Sequence, residues 1–153
     1  TDAGFPQAPD WTALERTAPV KAAAWTSRYS LRFARGGDLV AAPAPEIADS
    51  TSLVWVQDDP PRPLDFLSLA AICDVFYPRI FIRRPVFVPA GTVSMTVYFH
   101  ADAALLAAQG DAPVLGVARA SHFGKGYHDQ VAEIWSRDGL LLATSHQIVY
   151  FKE

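Results

Sequence analysis

Between Trp25 and Phe33 the chain alternates. Trp25, Ser27, Tyr29, Leu31 and Phe33 fall on one side, and Thr26, Arg28, Ser30 and Arg32 on the other. A strict period of two predicts a half-buried strand, which Gly36-Gly37-Asp38 would end. Residues 39–50 form a proline-broken connection, and a second strand is predicted through Ser52-Leu53-Val54-Trp55-Val56. It stops at QDDPPRP, where Asp58 or Asp59 is placed to cap a helix whose first turn the prolines would occupy. From Leu64 to Phe76 (LDFLSLAAICDVF) the chain is apolar nearly all round. That is the signature of a buried helix, and Pro78 would end it.

Every later segment reads as a strand. In Val93–His100 the odd positions are apolar and the even ones polar or amphipathic; Val114–Ser121 and Tyr127–Ser136 follow, and the last strand covers Leu140–Phe151. Asp138-Gly139 is a tight-turn signal between the final two. The order β-β-α-β-β-β-β predicts an α+β domain in which an antiparallel β-sheet wraps around one long central apolar helix. This is the hotdog fold. Residues 1–22 carry three prolines and no sustained period, so they are expected to be a linker or arm, with the hotdog domain over 23–153. A single such unit leaves sheet edges that need pairing.

Composition narrows the function. At 153 residues and 50% apolar, the chain can bury a core as one domain. The formal charge is −3, with no basic cluster, which argues against a nucleic-acid binder. No run approaches the ~20 apolar residues of a membrane span. Cys73 is the one cysteine, so no intrachain disulfide is possible, and a reducing, cytoplasmic location is expected. The chain starts at Thr1, and a piece of something longer is the expectation.

Three polar residues stand in apolar surroundings. Asp74 has Ile72, Cys73, Val75 and Phe76 as neighbours, and burying an unpaired carboxylate costs several kcal/mol. It is therefore either a structural acceptor near the helix end or a functional group in a cleft. Thr92 opens the strand Val93–His100 on the parity of Ser94 and Thr96, and Gln147 shares a face with Ala143, Ser145 and Val149. Alone, each also reads as an ordinary strand residue.

The run LAAICDVFYP, then TVSMTVYFH, then DGLLLATSHQ resembles the C-terminal hotdog of the acyl-CoA thioesterase II family, within the thioesterase-like superfamily of double-hotdog proteins. The likeness covers residues from about 25 to 153. It implies hydrolysis of acyl-CoA to free fatty acid and CoA, without cofactor or metal. It also implies a catalytic set of Asp74, Thr92 and Gln147 that jointly binds the attacking water, with Asp74 as general base. A second hotdog domain is the expected partner, as an N-terminal half or another chain, along with an oligomeric state. The sequence departs from the family after Phe99-His100, where Ala101-Asp102-Ala103 replaces the usual Arg-Pro, so the loop from Ala103 to Pro113 differs. Phe76, Phe81, Phe87 and Trp135 are candidates to line an acyl channel, and Arg83, Arg84 and Lys125 to meet CoA phosphates.

The rival of another class is a non-catalytic acyl-CoA-binding or structural half that completes a partner's sheet. His100, His122, His128 and His146 show no zinc-ligand spacing, and no G-x-S-x-G elbow is present. A hotdog dehydratase would need an Asp/His pair, for which Asp74 and His100 are the candidates.

Overall fold

β-Branched and aromatic residues fill the strand segments, and their alternation sorts them onto two faces. The computed structural model describes residues 1–37, 39, 45–84 and 86–153. Its strands are β1 (Tyr29–Arg35), β2 (Ser52–Asp58), β3 (Ala90–Phe99), β4 (Val114–Arg119), β5 (Phe123–Gly124), β6 (Tyr127–Trp135) and β7 (Leu141–Phe151). They form one antiparallel sheet in the order β1-β2-β4-β6-β7-β3, with the short β5 paired to β6. Three short helices complete the fold: α1 (Phe66–Ile72), α2 (Arg79–Arg83) and α3 (Ala103–Gln109).

The inner face carries the main core, in which Val54, Val56, Ala132, Ile134 and Leu142 of the sheet pack with Leu69 and Ile72 of α1. Phe76 packs onto β4 where Gly116 has no side chain; a Cβ there would stand 2.7 Å from the ring's Cζ. The outer face is aromatic. Trp55, Leu115 and Trp135 cluster there, with Ala8, Trp11 and Leu14 laid over them. The Trp55 indole donates to the Pro9 carbonyl at 2.9 Å, and the Arg32 guanidinium lies 4.2 Å from the centre of the Trp11 ring. The stretch from Phe5 to Leu14 thus lies on the sheet's outer face as a cover.

The predicted single long helix is two short ones. Prolines 60, 61 and 63 keep the chain from turning helical before Leu64. Asp65, rather than Asp58 or Asp59, becomes the cap, accepting from the Ser68 N–H at 2.7 Å. At the other end Asp74 N–H reaches Ala71 O and Val75 N–H reaches Ile72 O, at 3.0 and 3.2 Å. These tight three-residue turns stop the helix before Pro78, which then opens α2. Nor is α1 buried all round, since Leu67 is 79% exposed. The wholly buried Arg79 fastens α2 to the sheet, donating to Ser52 Oγ at 2.8 Å and Ser50 O at 2.9 Å. Burial lowers its pKa to about 9, which leaves it a cation at neutral pH.

Two other expectations change. Residues 24–28 form a 3₁₀ turn, and the first strand begins only at Tyr29. The Thr26 hydroxyl donates to Ala23 O at 2.7 Å and accepts from Val20 N–H at 2.8 Å. These local bonds take backbone groups that a strand would have paired. The loop expected from Ala103 to Pro113 begins with α3, capped by Asp102 and stopped by Gly110 at φ 60. The expected turn at Asp38, and residues 40–44 of the connection, lie outside the described residues.

Gly116→Val is expected to lower the unfolding free energy by about 1–3 kcal/mol, because Phe76 must leave its seat. Urea unfolding should show a lower midpoint with an unchanged slope; an unchanged midpoint would mean that the ring moves aside freely.

Candidate functional site

Asp74 sits in the tight turn after α1, Gln147 in the middle of β7 and Thr92 near the start of β3. The structure brings all three together. The Gln147 amide donates from Nε2 to Asp74 Oδ1 at 2.7 Å, and the Thr92 hydroxyl donates to Gln147 Oε1 at 3.3 Å. A carboxylate accepts only, so the NH2 end of the amide must face Asp74 and the carbonyl end Thr92. Nε2 also lies 3.3 Å from the Met95 sulfur. Gln147 is 3% exposed and thus fixed at both ends.

A β-bulge places Thr92. In the β3–β7 ladder Thr92 faces Val149 and Ser94 faces Ile148, leaving Val93 without a partner. The extra residue reverses the alternation. Thr92 therefore shares the inner face with Met95 and Val97, not with Ser94 and Thr96 as uninterrupted alternation predicted. β7 ties down the end of α1 as well: the buried Ser145 hydroxyl reaches Cys73 O at 3.5 Å.

Asp74 is exposed in this chain, contrary to the expectation of a carboxylate held out of solvent. The reason is the early end of α1, which leaves Asp74 past the last turn at the rim of the core. Among the described residues no cation pairs with it. A cavity of about 170 Å³ opens beside it, lined by Asp74, Thr92, Gln147, Gln130, Phe76 and Trp25 among others. At ~30 Å³ per water, it has room for several. A second hollow of about 320 Å³ lies on the other side of Asp74, walled by Trp25, Tyr29, Ala71 and Val75. Burial and, less strongly, the charges of Asp58 and Asp74 push the Tyr29 hydroxyl above its ordinary pKa.

Other candidates scatter. Phe76 lines the cavity, but Trp135 belongs to the outer-face cluster and cannot. Phe81 packs against Phe87, 5.0 Å between ring centres. Arg83 and Arg84 both pair with Glu46, at 2.6 and 3.2 Å, while Lys125 sits at φ 54 in the β5–β6 turn. His100 lies past the far end of β3, eight residues or about 25 Å of strand from Thr92, with Nε2 3.0 Å from Thr144 Oγ1. It forms no pair with Asp74. Gln130 and Trp25 were not singled out from the sequence. Gln130 was legible as a lone amide on the inward parity of His128, Ala132 and Ile134, whereas Trp25 was assigned to a strand it does not join.

A single antiparallel sheet curled over short helices defines a hotdog domain. The chain belongs to the family described as acyl-CoA thioesterase C-terminal domain, which matches residues 3–151. It is similar over its whole length to a hotdog protein of unknown function from Alicyclobacillus acidocaldarius, at 43% identity and TM-score 0.91. It shares its fold with a putative thioesterase II from Thermobifida fusca (20% identity, TM-score 0.74, all of this chain). An acyl-CoA thioesterase II from Mycobacterium marinum also shares it (18%, 0.69, 99% of this chain). The chain spans 56–57% of the length of these three structures, matching the C-terminal part of double-hotdog thioesterases. No curated protein is matched.

The end of α1 can be probed through Cys73, which is wholly buried. Burial, with Asp74's charge as a smaller cause, pushes its thiol up to about 12. A raised pKa means that the folded state holds the proton more tightly. The resulting stability is complete below the unfolded thiol's value of about 8.5 and is lost as pH climbs toward 12. At pH 8 the native protein should leave a thiol-specific disulfide reagent unreacted until it unfolds; prompt reaction would show that this turn opens readily.

Proposed function

We propose that the protein hydrolyses acyl-CoA thioesters to free fatty acid and CoA, using a water held by Asp74, Thr92 and Gln147. The observation that carries this reading is the hydrogen-bonded series Thr92–Gln147–Asp74 beside an open cavity. Gln147 occupies one oxygen of the carboxylate and the proton of the hydroxyl. This leaves Asp74 Oδ2 and the Thr92 oxygen as acceptors facing the cavity. A water donating to both would aim a lone pair at the thioester carbon. Asp74 takes its proton as the water oxygen bonds to carbon; the C–S bond breaks, and the thiolate of CoA receives the proton back. The second hollow, with its apolar walls of Trp25, Ala71 and Val75, suits the acyl chain.

The partner in this reading is a second hotdog domain, supplied by the rest of a longer chain or by another copy. β3 is an outer strand of the sheet, bonded only to β7, with Val93 61% and Tyr98 58% exposed. A ten-residue edge left open, with large apolar side chains exposed along it, invites strand pairing. Cover along this edge would also shield Asp74 and Thr92, both exposed in the single domain. That exposure is what favours the other reading, a non-catalytic half that binds acyl-CoA while its partner carries the chemistry. Buried, unpaired Cys73 suits a cytoplasmic setting.

The test is release of free CoA thiol from medium- and long-chain acyl-CoA by the full-length protein. Asp74→Asn is expected to reduce kcat by about 10²–10⁴, and Thr92→Val and Gln147→Leu by smaller factors, with cooperative unfolding kept. Wild-type turnover that survives Asp74→Asn moves the chemistry elsewhere. Tight binding of acyl-CoA without turnover favours the binding half.

A further inference from the structure

We propose that Gln130 is a further catalytic residue of this site, its side-chain amide donating to the carbonyl oxygen of the thioester; the inference rests on the hydrolytic reading above. Gln130 lies on the inner face of β6 and is 2% exposed. It is the direct partner of Gln147 across the β6–β7 ladder. Residues so paired carry their Cβ atoms about 4.5–5.5 Å apart, so the two amides stand side by side along the wall of the same cavity.

Their hydrogen-bond states differ. Asp74 can donate nothing, the Thr92 proton is engaged on Gln147, and the Gln147 N–H groups are taken by Asp74 and the Met95 sulfur. Gln130 has no side-chain hydrogen bond among the described residues. Its polar atoms are not among the buried ones left without a partner, so the cavity it lines reaches them, and its amide N–H is placed to meet a group that arrives there. Water attack at the carbonyl carbon drives the C=O electron pair onto oxygen. That negative charge returns to re-form C=O as the C–S pair leaves with sulfur. Among the described residues no Lys or Arg lines the cavity, so a neutral N–H donor would hold the oxyanion; Gln130 offers one fixed beforehand within a strand, whereas the Trp25 indole sits in the turn before β1. The carboxylate and hydroxyl fix the water on one side, and Gln130 meets the carbonyl oxygen from the neighbouring strand.

Two measurements on the full-length protein test the assignment, each with Gln130→Leu and the closely matched Gln130→Met. In steady-state hydrolysis, kcat should fall by about 10²–10³ with little change in KM. Thermal unfolding should hold steady or rise, since the amide makes no side-chain hydrogen bond among the described residues and an apolar group of similar size replaces it. The second measurement needs no turnover. It compares binding of two stable CoA derivatives, a ketone in which CH2 replaces the thioester sulfur and a thioether that lacks the carbonyl. The wild type should prefer the ketone, and the variants should lose about tenfold of that preference. If Asp74→Asn abolishes turnover while both Gln130 variants keep kcat and the ketone preference, Gln130 has no such role and the water-activating set stands. If the wild type proves inert but the variants still lose the ketone preference, the carbonyl contact stands and hydrolysis falls.

Discussion

A buried amide joins the two halves of this domain. Gln147 reaches from the middle of β7 to the turn that ends α1, and through its other end to the first turn of the ladder in β3. Its two faces are chemically distinct, so the bond to a carboxylate dictates which end meets the hydroxyl. Burial makes that choice costly to reverse, because a flipped amide would press its oxygen against Asp74. The positions of Asp74 and Thr92 therefore depend on each other through one side chain, although 18 positions separate them in sequence. The Ser145 contact to Cys73 O lends the same strand a second hold on the helix end.

Around this junction, packing covers much of the sheet on both faces. On the inside, Phe76 rests on the bare backbone of Gly116, bringing the chain after α1 down to the sheet close to the cavity. On the outside, Trp55, Leu115 and Trp135 would be a bare apolar surface without the stretch from Phe5 to Leu14 laid across them. Arg32 joins cover to sheet twice over, stacking on Trp11 and donating to the Trp11 and Leu14 carbonyls. Arg79 plays a comparable part inside, a cation whose donors are met by a hydroxyl and backbone carbonyls. β1 and β3 are the two edge strands of the sheet, and β3, at ten residues, is the longer.

Much of the architecture was legible because strands and turns carry local signals. The alternation in β6 and β7 and the Asp138-Gly139 turn placed two strands within a residue or two of their observed ends. The helices were harder to read. LDFLSLAAICDVF is apolar nearly all round, and nothing in that run marks where the turns tighten after Ile72; the tightened end is held by contacts with β7, which are distant in sequence. α3 is bracketed by Asp102 and Gly110, but at seven residues it is too short to carry a helical period of its own. Asp74, Thr92 and Gln147 were grouped by resemblance, not by pattern, and the bulge at Val93 explains why pattern alone would have turned Thr92 the wrong way. Gln130 was visible as an inward amide only once β6 had a definite inner face.

The same bulge divides β3 into two segments of opposite phase. Upstream of Val93 the strand presents a hydroxyl to the cavity; downstream it presents Met95 and Val97 to the apolar core. Sequence drift in the second segment can thus refit the packing without rotating the first. Flattening the bulge with Val93 drawn into the ladder would instead slip the upstream register by one and turn the hydroxyl outward while every later pairing survived. A domain so altered would fold, and its cavity would be left without one of its polar walls.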